Sequence, residues 1–253
     1  MKKILIGALL LTGCALPVMA CTGISATAKD GGYVQARTIE WGDSYLPSQY
    51  VVIPCGHEMI SYTPKGMNGA KFRARYGVVG LSIVLKDFVV EGLNEAGLSA
   101  GLFYFPHYGN YPVYDAKQNT RTVADLQLVA WMLSQFSTIE EIKAAMQDIR
   151  VVPVDTTGAS STVHWRIGDA NGRQVVLEFV DGVPCFYENE ISVLTNSPGF
   201  PWQMTNLNNY VNLYPGGAEA HQLGGVTIFP FGAGSGFQGI PGDVTPPSRF
   251  VRA

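Results

Sequence analysis

Charge is scarce in this chain. Only 15% of its 253 residues are charged, and 17 basic side chains stand against 20 acidic ones, for a net charge of −3. Such a composition leaves no long solvated tail and no basic surface to hold a nucleic acid. Metal-ligand patterns are missing. His57, His107, His164 and His221 stand at no ligand spacing from one another or from a cysteine pair, so neither a metal nor another cofactor is inferred. After the first twenty residues no apolar run is long enough to cross a bilayer as a helix. Cysteine is rare, with only Cys14, Cys21, Cys55 and Cys185. Cys55 and Cys185 are read as two separate buried thiols rather than a disulfide. What remains is a chain with 47% hydrophobic residues, enough for a substantial core in one domain or a compact pair.

The strongest local feature is the junction Val18-Met19-Ala20 before Cys21-Thr22-Gly23. Lys2 and Lys3 followed by an apolar stretch over 4–11 read as a secretory leader, with small residues Val18 and Ala20 ahead of a cut. Residues 1–20 are therefore read as a signal peptide and 21–253 as the mature domain. A rival reading takes Leu11-Thr12-Gly13-Cys14 as a lipoprotein box with lipid on Cys14; the same pattern fits Cys21 less well. A cut after Ala20 would put a thiol and a free α-amine on one residue. The thiol has a reference pKa of about 8.5 and the amine about 7.7–8.0. The amine can therefore take the thiol proton and later return it to a leaving nitrogen.

The mature region opens as strands over 21–28 and 32–41 around Lys29-Asp30-Gly31-Gly32, a hairpin signal. A two-residue turn sets Cys21 across from Glu40. A three-residue loop sets it across from Trp41, with Arg37 on the same face. Both registers stay open. Further strands are expected over 50–53, 59–63, 76–84, 88–91 and 98–105. A helix is expected over 122–136, and the capping-box pattern Ser137-Thr138-Ile139-Glu140 is expected to start a second helix that runs to about Ile149. Strands return over 162–167, 174–179, 183–187 and 191–195, then a short helix over 202–213. From Gly224 onward the text is glycine- and proline-rich loop with one strand.

Two motifs mislead. Gly97-Leu98-Ser99-Ala100-Gly101 matches a serine-hydrolase pattern that needs a strand before it and a helix after it; here a turn precedes and a strand follows. Gly234-Ser235-Gly236-Phe237-Gln238-Gly239 matches a dinucleotide loop, but Pro241 follows where the helix would have to run.

The residues that do carry chemistry bear a resemblance. Cys21-Thr22, Ala36-Arg37-Thr38-Ile39-Glu40-Trp41, Asn94-Glu95-Ala96-Gly97-Leu98, Leu194-Thr195-Asn196-Ser197-Pro198, Pro241-Gly242-Asp243 and Ser248-Arg249-Phe250 run in order along the chain. Together they resemble the choloylglycine hydrolase family, bile salt hydrolases and penicillin V acylases among the N-terminal-nucleophile hydrolases. The resemblance implies an α+β fold, an αββα sandwich of two mostly antiparallel sheets between helical layers. It implies hydrolysis of a linear amide through an acyl-cysteine, with Cys21 as nucleophile and base. By position, Arg37 tunes the thiol, Asn196 is the oxyanion-hole asparagine and Arg249 is the second active-site arginine. Glu40 stands where the family has Asp. Tyr104 stands where many bile salt hydrolases have Asn, and there the chain looks more like a penicillin V acylase.

Tyr104, Phe103, Phe105 and Tyr108 are read as lining an apolar pocket for a steroid or aryl acyl group. Family chains continue past the match at 248–250, so this domain is read as missing its C-terminal elements. The expected partner is a small-molecule amide, a glycine or taurine conjugate of a bile salt, with penicillin V or an N-acyl homoserine lactone as alternatives. An inactive lipid-anchored binding protein is the rival of another class. A homo-oligomer, a tetramer, follows from the resemblance, and bacterial periplasm from the leader.

Overall fold

The computed structural model describes residues 19–41, 45–154 and 162–253. Residues 1–18 of the leader, with the lipid-box reading at Cys14, lie outside the described residues. The described chain opens as an antiparallel ribbon of β1 (Met19–Thr27) and β2 (Tyr33–Trp41). Its loop runs over 28–32, longer than either expected turn, with the Ala28 N–H donating to Gly32 O. Neither expected register holds: Cys21 stands across from Ile39 and Glu40 from Ala20. Arg37 pairs with Gly23, which puts it on the Cys21 side of the ribbon.

The strands β3 (Ser48–Ile53), β4 (Glu58–Ile60), β5 (Lys71–Arg73), β6 (Val78–Ile83), β7 (Val89–Asn94), β8 (Ser99–Tyr104) and β9 (Thr122–Ala124) come next. Helices α1 (Leu128–Gln135) and α2 (Ile139–Ala145) lead to β10 (Arg150–Val152), β11 (Val163–Gly168), β12 (Gln174–Val180) and β13 (Val183–Glu188). The chain then runs through α3 (Phe200–Asn206), β14 (His221–Leu223), β15 (Val226–Ile228) and α4 (Pro246–Arg252). Seven strands form one antiparallel sheet in the order β13-β12-β11-β8-β7-β6-β3.

Alternation along these strands sends side chains to two different cores. On one face Ala100, Leu102, Trp165, Ile167 and Leu177 pack with Met132 and Leu133 of α1. On the other Phe103 and Val176 pack with Cys21, Leu194, Phe200 and Phe250. Helix α1 thus covers one side of the sheet, the β1–β2 ribbon lies on the other, and α4 packs on the ribbon beside α3. The layers run helix, sheet, sheet, helix, the expected αββα order. Beyond the ribbon Tyr50, Val52, Val79, Leu81 and Leu93 stay exposed on the ribbon side of the sheet. A cavity of about 600 Å³ opens there, lined by Tyr33, Gln35, Tyr50, Leu81, Glu91 and Leu93 among others.

One conspicuous motif serves this frame rather than the chemistry. Asn94 donates to Leu133 O and Phe136 O at 2.8 and 2.7 Å. Its Oδ1 accepts the N–H groups of Ala96 and Leu98 at 3.1 and 2.9 Å. The side chain therefore closes the turn and ties it to the end of α1. Gly97 holds φ at 84° there, a left-handed angle that favours glycine.

Four readings change. The helix expected over 122–136 starts only at Leu128, because the β-branched Thr122 and Val123 pair in parallel with β10. Only Leu194 of the strand expected over 191–195 makes a β bridge, to Gly23. The segment 246–252, read as loop, is helix α4 with proline in its first turn, where the missing N–H costs nothing. Cys55 and Cys185 are free, as read, but exposed and half-buried rather than buried.

Candidate active site

The site begins with a glycine. A Cβ on Gly23 would sit 2.6 Å from the Phe103 ring and 2.9 Å from the Arg166 guanidinium. Only glycine lets β1 lie so close over β8 and β11. Two residues earlier, Cys21 points to the same side and is buried, 4% exposed, against Phe103, Leu194 and Phe250. Gly23 exchanges both backbone hydrogen bonds with Leu194, at 2.7 and 3.0 Å. That bridge delivers Asn196 to the start of β1.

Asn196 is the hub. Its Oδ1 accepts the Cys21 backbone N–H at 2.8 Å and Arg249 Nη2 at 2.7 Å, and its Nδ2 donates to Tyr104 O at 2.7 Å. Two donors on one side and a carbonyl on the other fix the orientation of the amide. Ala20 still precedes Cys21 in β1, so the nitrogen that Asn196 holds is a peptide N–H in this chain.

Arg249 closes the cluster from α4. Its Nη1 donates to Cys21 O and to Thr22 Oγ1, each at 2.5 Å. Burial pulls its guanidinium below the usual arginine value, and the negative charges of Glu40 and of an ionised Cys21 act to hold it up. Exposed Glu40 lies on the opposite face of β2 from Arg37 and thus belongs electrostatically to Arg249. The motif around Asp243 positions α4. Its carboxylate accepts Thr245 N–H at 2.9 Å and the Ser248 hydroxyl at 2.7 Å. Hydrogen bonds from the Thr245 and Ser248 side chains and the Thr245 backbone lower its pKa to about 2.

The Arg37 side chain, 6% exposed, lies beneath. It donates to Leu102 O and Val90 O, lies 3.7 Å from Glu91 and stacks 4.2 Å over the Phe103 ring. Arg166, fully buried, meets the same Glu91 at 3.1 Å and donates to Ile24 O at 3.0 Å. Two guanidinium groups thus share one carboxylate under the ring that packs on Cys21. Sequence reasoning missed Arg166; its signal is a lone cation inside the apolar run of β11.

The expected pocket residues separate. Phe103 and Phe105 are interior, at 0% and 1% exposure, so they pack beneath the site and do not line an open pocket. Phe105 stacks flat on His164 at 4.3 Å. Tyr104 brings its carbonyl to Asn196, and burial raises its phenol pKa. Tyr108 is 54% exposed. The 600 Å³ cavity is lined by neither Cys21, Asn196 nor Arg249. Ser99 is an ordinary strand residue: its hydroxyl donates to Gly168 O at 3.1 Å and accepts from Gln35 at 2.6 Å. Gly234 to Gly239 encloses only a short 3₁₀ turn, with no helix to seat a phosphate. Among the described residues no cluster of His, Cys, Asp and Glu could hold a metal ion, and no helix is long and apolar enough to cross a membrane.

Known proteins resemble this chain along most of its length. A family model described as linear amide C–N hydrolases, choloylglycine hydrolase family, matches residues 21–253. A bile salt hydrolase/transferase of Clostridium perfringens is 32% identical over 92% of this chain and 70% of its own length. A penicillin V acylase of Pectobacterium atrosepticum is 24% identical over 87% of this chain and 54% of its own. Among solved structures, a mutant conjugated bile acid hydrolase from Clostridium perfringens superposes with a TM-score of 0.78 at 31% identity, covering 92% of this chain and 70% of that one.

Proposed function

Because the chain belongs to the choloylglycine hydrolase family of linear amide C–N hydrolases, we propose that it cleaves the glycine or taurine amide of conjugated bile salts, with Cys21 as nucleophile. The observation that carries the reading is the convergence of Asn196 and Arg249 on the backbone of Cys21. The family model starts at Cys21, which favours export with a cut after Ala20, into a periplasm in this reading.

Such a cut turns the Cys21 N–H into an amine while Asn196 Oδ1 still accepts from it. The amine takes the thiol proton as sulfur bonds to the carbonyl carbon. The C–N bond then breaks, and the proton passes to the departing nitrogen as the amino acid leaves. Water finally splits the acyl–sulfur ester, releasing the bile acid and restoring the thiol. The second hydrogen of Asn196 Nδ2, beyond the one given to Tyr104 O, is the donor assigned to the developing oxyanion; such a donor is worth about 10²–10³ in rate. Arg249 holds the Cys21 and Thr22 backbone in register, and Glu40 balances its charge. Arg37 and Arg166 supply a positive field beneath the thiol. Tyr104 and Tyr108 form the acyl-side surface.

Penicillin V is the second substrate, favoured by Tyr104. The reading also includes a homotetramer, tested by light scattering. In the central test, full-length protein is produced with its leader, purified, and incubated with glycocholate, taurocholate and penicillin V. Released amine is followed by mass spectrometry. Bile-salt cleavage that disappears in Cys21→Ala is expected. Unaltered turnover in that variant would refute the mechanism. Intact mass of the same sample reads the N-terminus: bare Cys21 supports the cut, and lipid on Cys14 or Cys21 refutes it.

A further inference from the structure

The mechanism leaves one buried pair of titratable side chains unused. His164 on β11 and Glu178 on β12 are 0% and 1% exposed. His164 Nδ1 lies 3.0 Å from Glu178 Oε1, and its Nε2 lies 3.1 Å from Thr195 O. The same Glu178 Oε1 accepts the Phe200 N–H at 2.8 Å. The pair therefore grips both ends of the segment 195–200, and Asn196 is the second residue of that segment. Phe105 stacks on the imidazole with an interplanar angle of 4°, which fixes the plane of the ring.

We propose that His164 and Glu178 are positioning residues that hold Asn196 in register with Cys21. A carbonyl only accepts, so Nε2 carries a proton. The contact between Nδ1 and Oε1 then needs a second proton, on the ring or on the carboxyl. Only an acid can satisfy both neighbours with this one oxygen. As a carboxylate it accepts from Phe200 and from an imidazolium; as a carboxylic acid it donates to Nδ1 while still accepting from Phe200. An amide oxygen there would require a doubly protonated ring with no counter-charge. An amide nitrogen would confront the Phe200 N–H.

The inference rests on the reading of Cys21 and Asn196 given above. Its test uses the full-length protein and the isosteric Glu178→Gln. With glycocholate, kcat should fall about 10²-fold with KM held, the scale of a misplacement of about 1 Å at a reacting centre. Two further variants separate positioning from packing. His164→Gln can still donate to Thr195 O and should recover most of kcat. His164→Asn reaches only Glu178 and should resemble Glu178→Gln. Thermal midpoints are measured throughout. Wild-type kcat in Glu178→Gln and His164→Asn overturns the proposal, as do losses in the two histidine variants that simply follow their midpoints. A second readout, the iodoacetamide alkylation rate of Cys21, needs no substrate. It should shift in Glu178→Gln and His164→Asn and return in His164→Gln. If the wild-type protein cleaves no bile salt, the proposed function fails and alkylation alone decides the positioning role; unchanged alkylation then overturns it.

Discussion

Removing the Asn196 side chain tests most of the site at once. Asn196→Ala deletes the acceptor of Cys21 N–H and Arg249 Nη2 and the donor to Tyr104 O, contacts of 2.7–2.8 Å. The Cys21 N–H is buried, and leaving such a group unpartnered costs about 1–3 kcal/mol. The Tyr104 carbonyl adds a comparable amount. Arg249 is only half-buried and can turn to water, so its share is smaller. A total of about 3–5 kcal/mol follows, at the upper end for a single substitution. Urea unfolding followed by circular dichroism reads it as a lower midpoint with an unchanged slope. On the same samples kcat should drop about 10²–10³-fold if Nδ2 serves the oxyanion. A stability loss under about 1 kcal/mol would refute the hub described here. Full loss of stability with wild-type kcat per folded molecule would refute the oxyanion assignment alone.

Other expectations are more local. Burial raises the Asp125 carboxyl to about 7, against the N–H groups of Leu126 and Val154, which lower it. An acid with a raised folded pKa binds its proton more tightly in the folded state, so stability falls as pH rises from about 4 to about 7 and is level above. The full span is about 4 kcal/mol at most; Asp125→Asn should flatten it, and equal urea midpoints for wild-type protein at pH 5 and pH 8 would contradict this. Asn94→Ala leaves two carbonyls and two turn N–H groups without their partner. It should cost about 2–4 kcal/mol without touching KM, read by thermal unfolding and steady-state kinetics. Ser99→Ala should keep turnover and lose only the hydrogen bonds of the hydroxyl to Gly168 and Gln35; loss of activity in a stably folded variant would reopen the serine-hydrolase reading.

Local chemistry explains what could be read early. The hairpin and the strands of the main sheet depend on neighbours in the chain, and their patterns survive inspection one segment at a time; the capping box forms one residue later than read, between Thr138 and Glu141 in place of Ser137 and Glu140. The register of the ribbon did not, because it rests on how the 28–32 loop closes. Helix α4 was hidden by its prolines, since its stability comes from Asp243 bonding Ser248 and from packing on β1. The division of the aromatic cluster was hidden as well. Phe103 and Tyr104 are adjacent, yet only the sheet decides which of them goes inside.

Sequence alone determined the residue types and their order: a cysteine behind Val18-Met19-Ala20, a glycine two places on, and asparagine and arginine in recognisable company far downstream. Tertiary structure decided which of them meet. Asn196 lies 175 residues from Cys21, and it reaches that backbone through the bridge between Gly23 and Leu194 and the grip of two buried side chains on its loop. Hydrogen bonds of that range act over about 3 Å, so no spacing along the chain encodes them. Only the folded sheet brings the groups within reach.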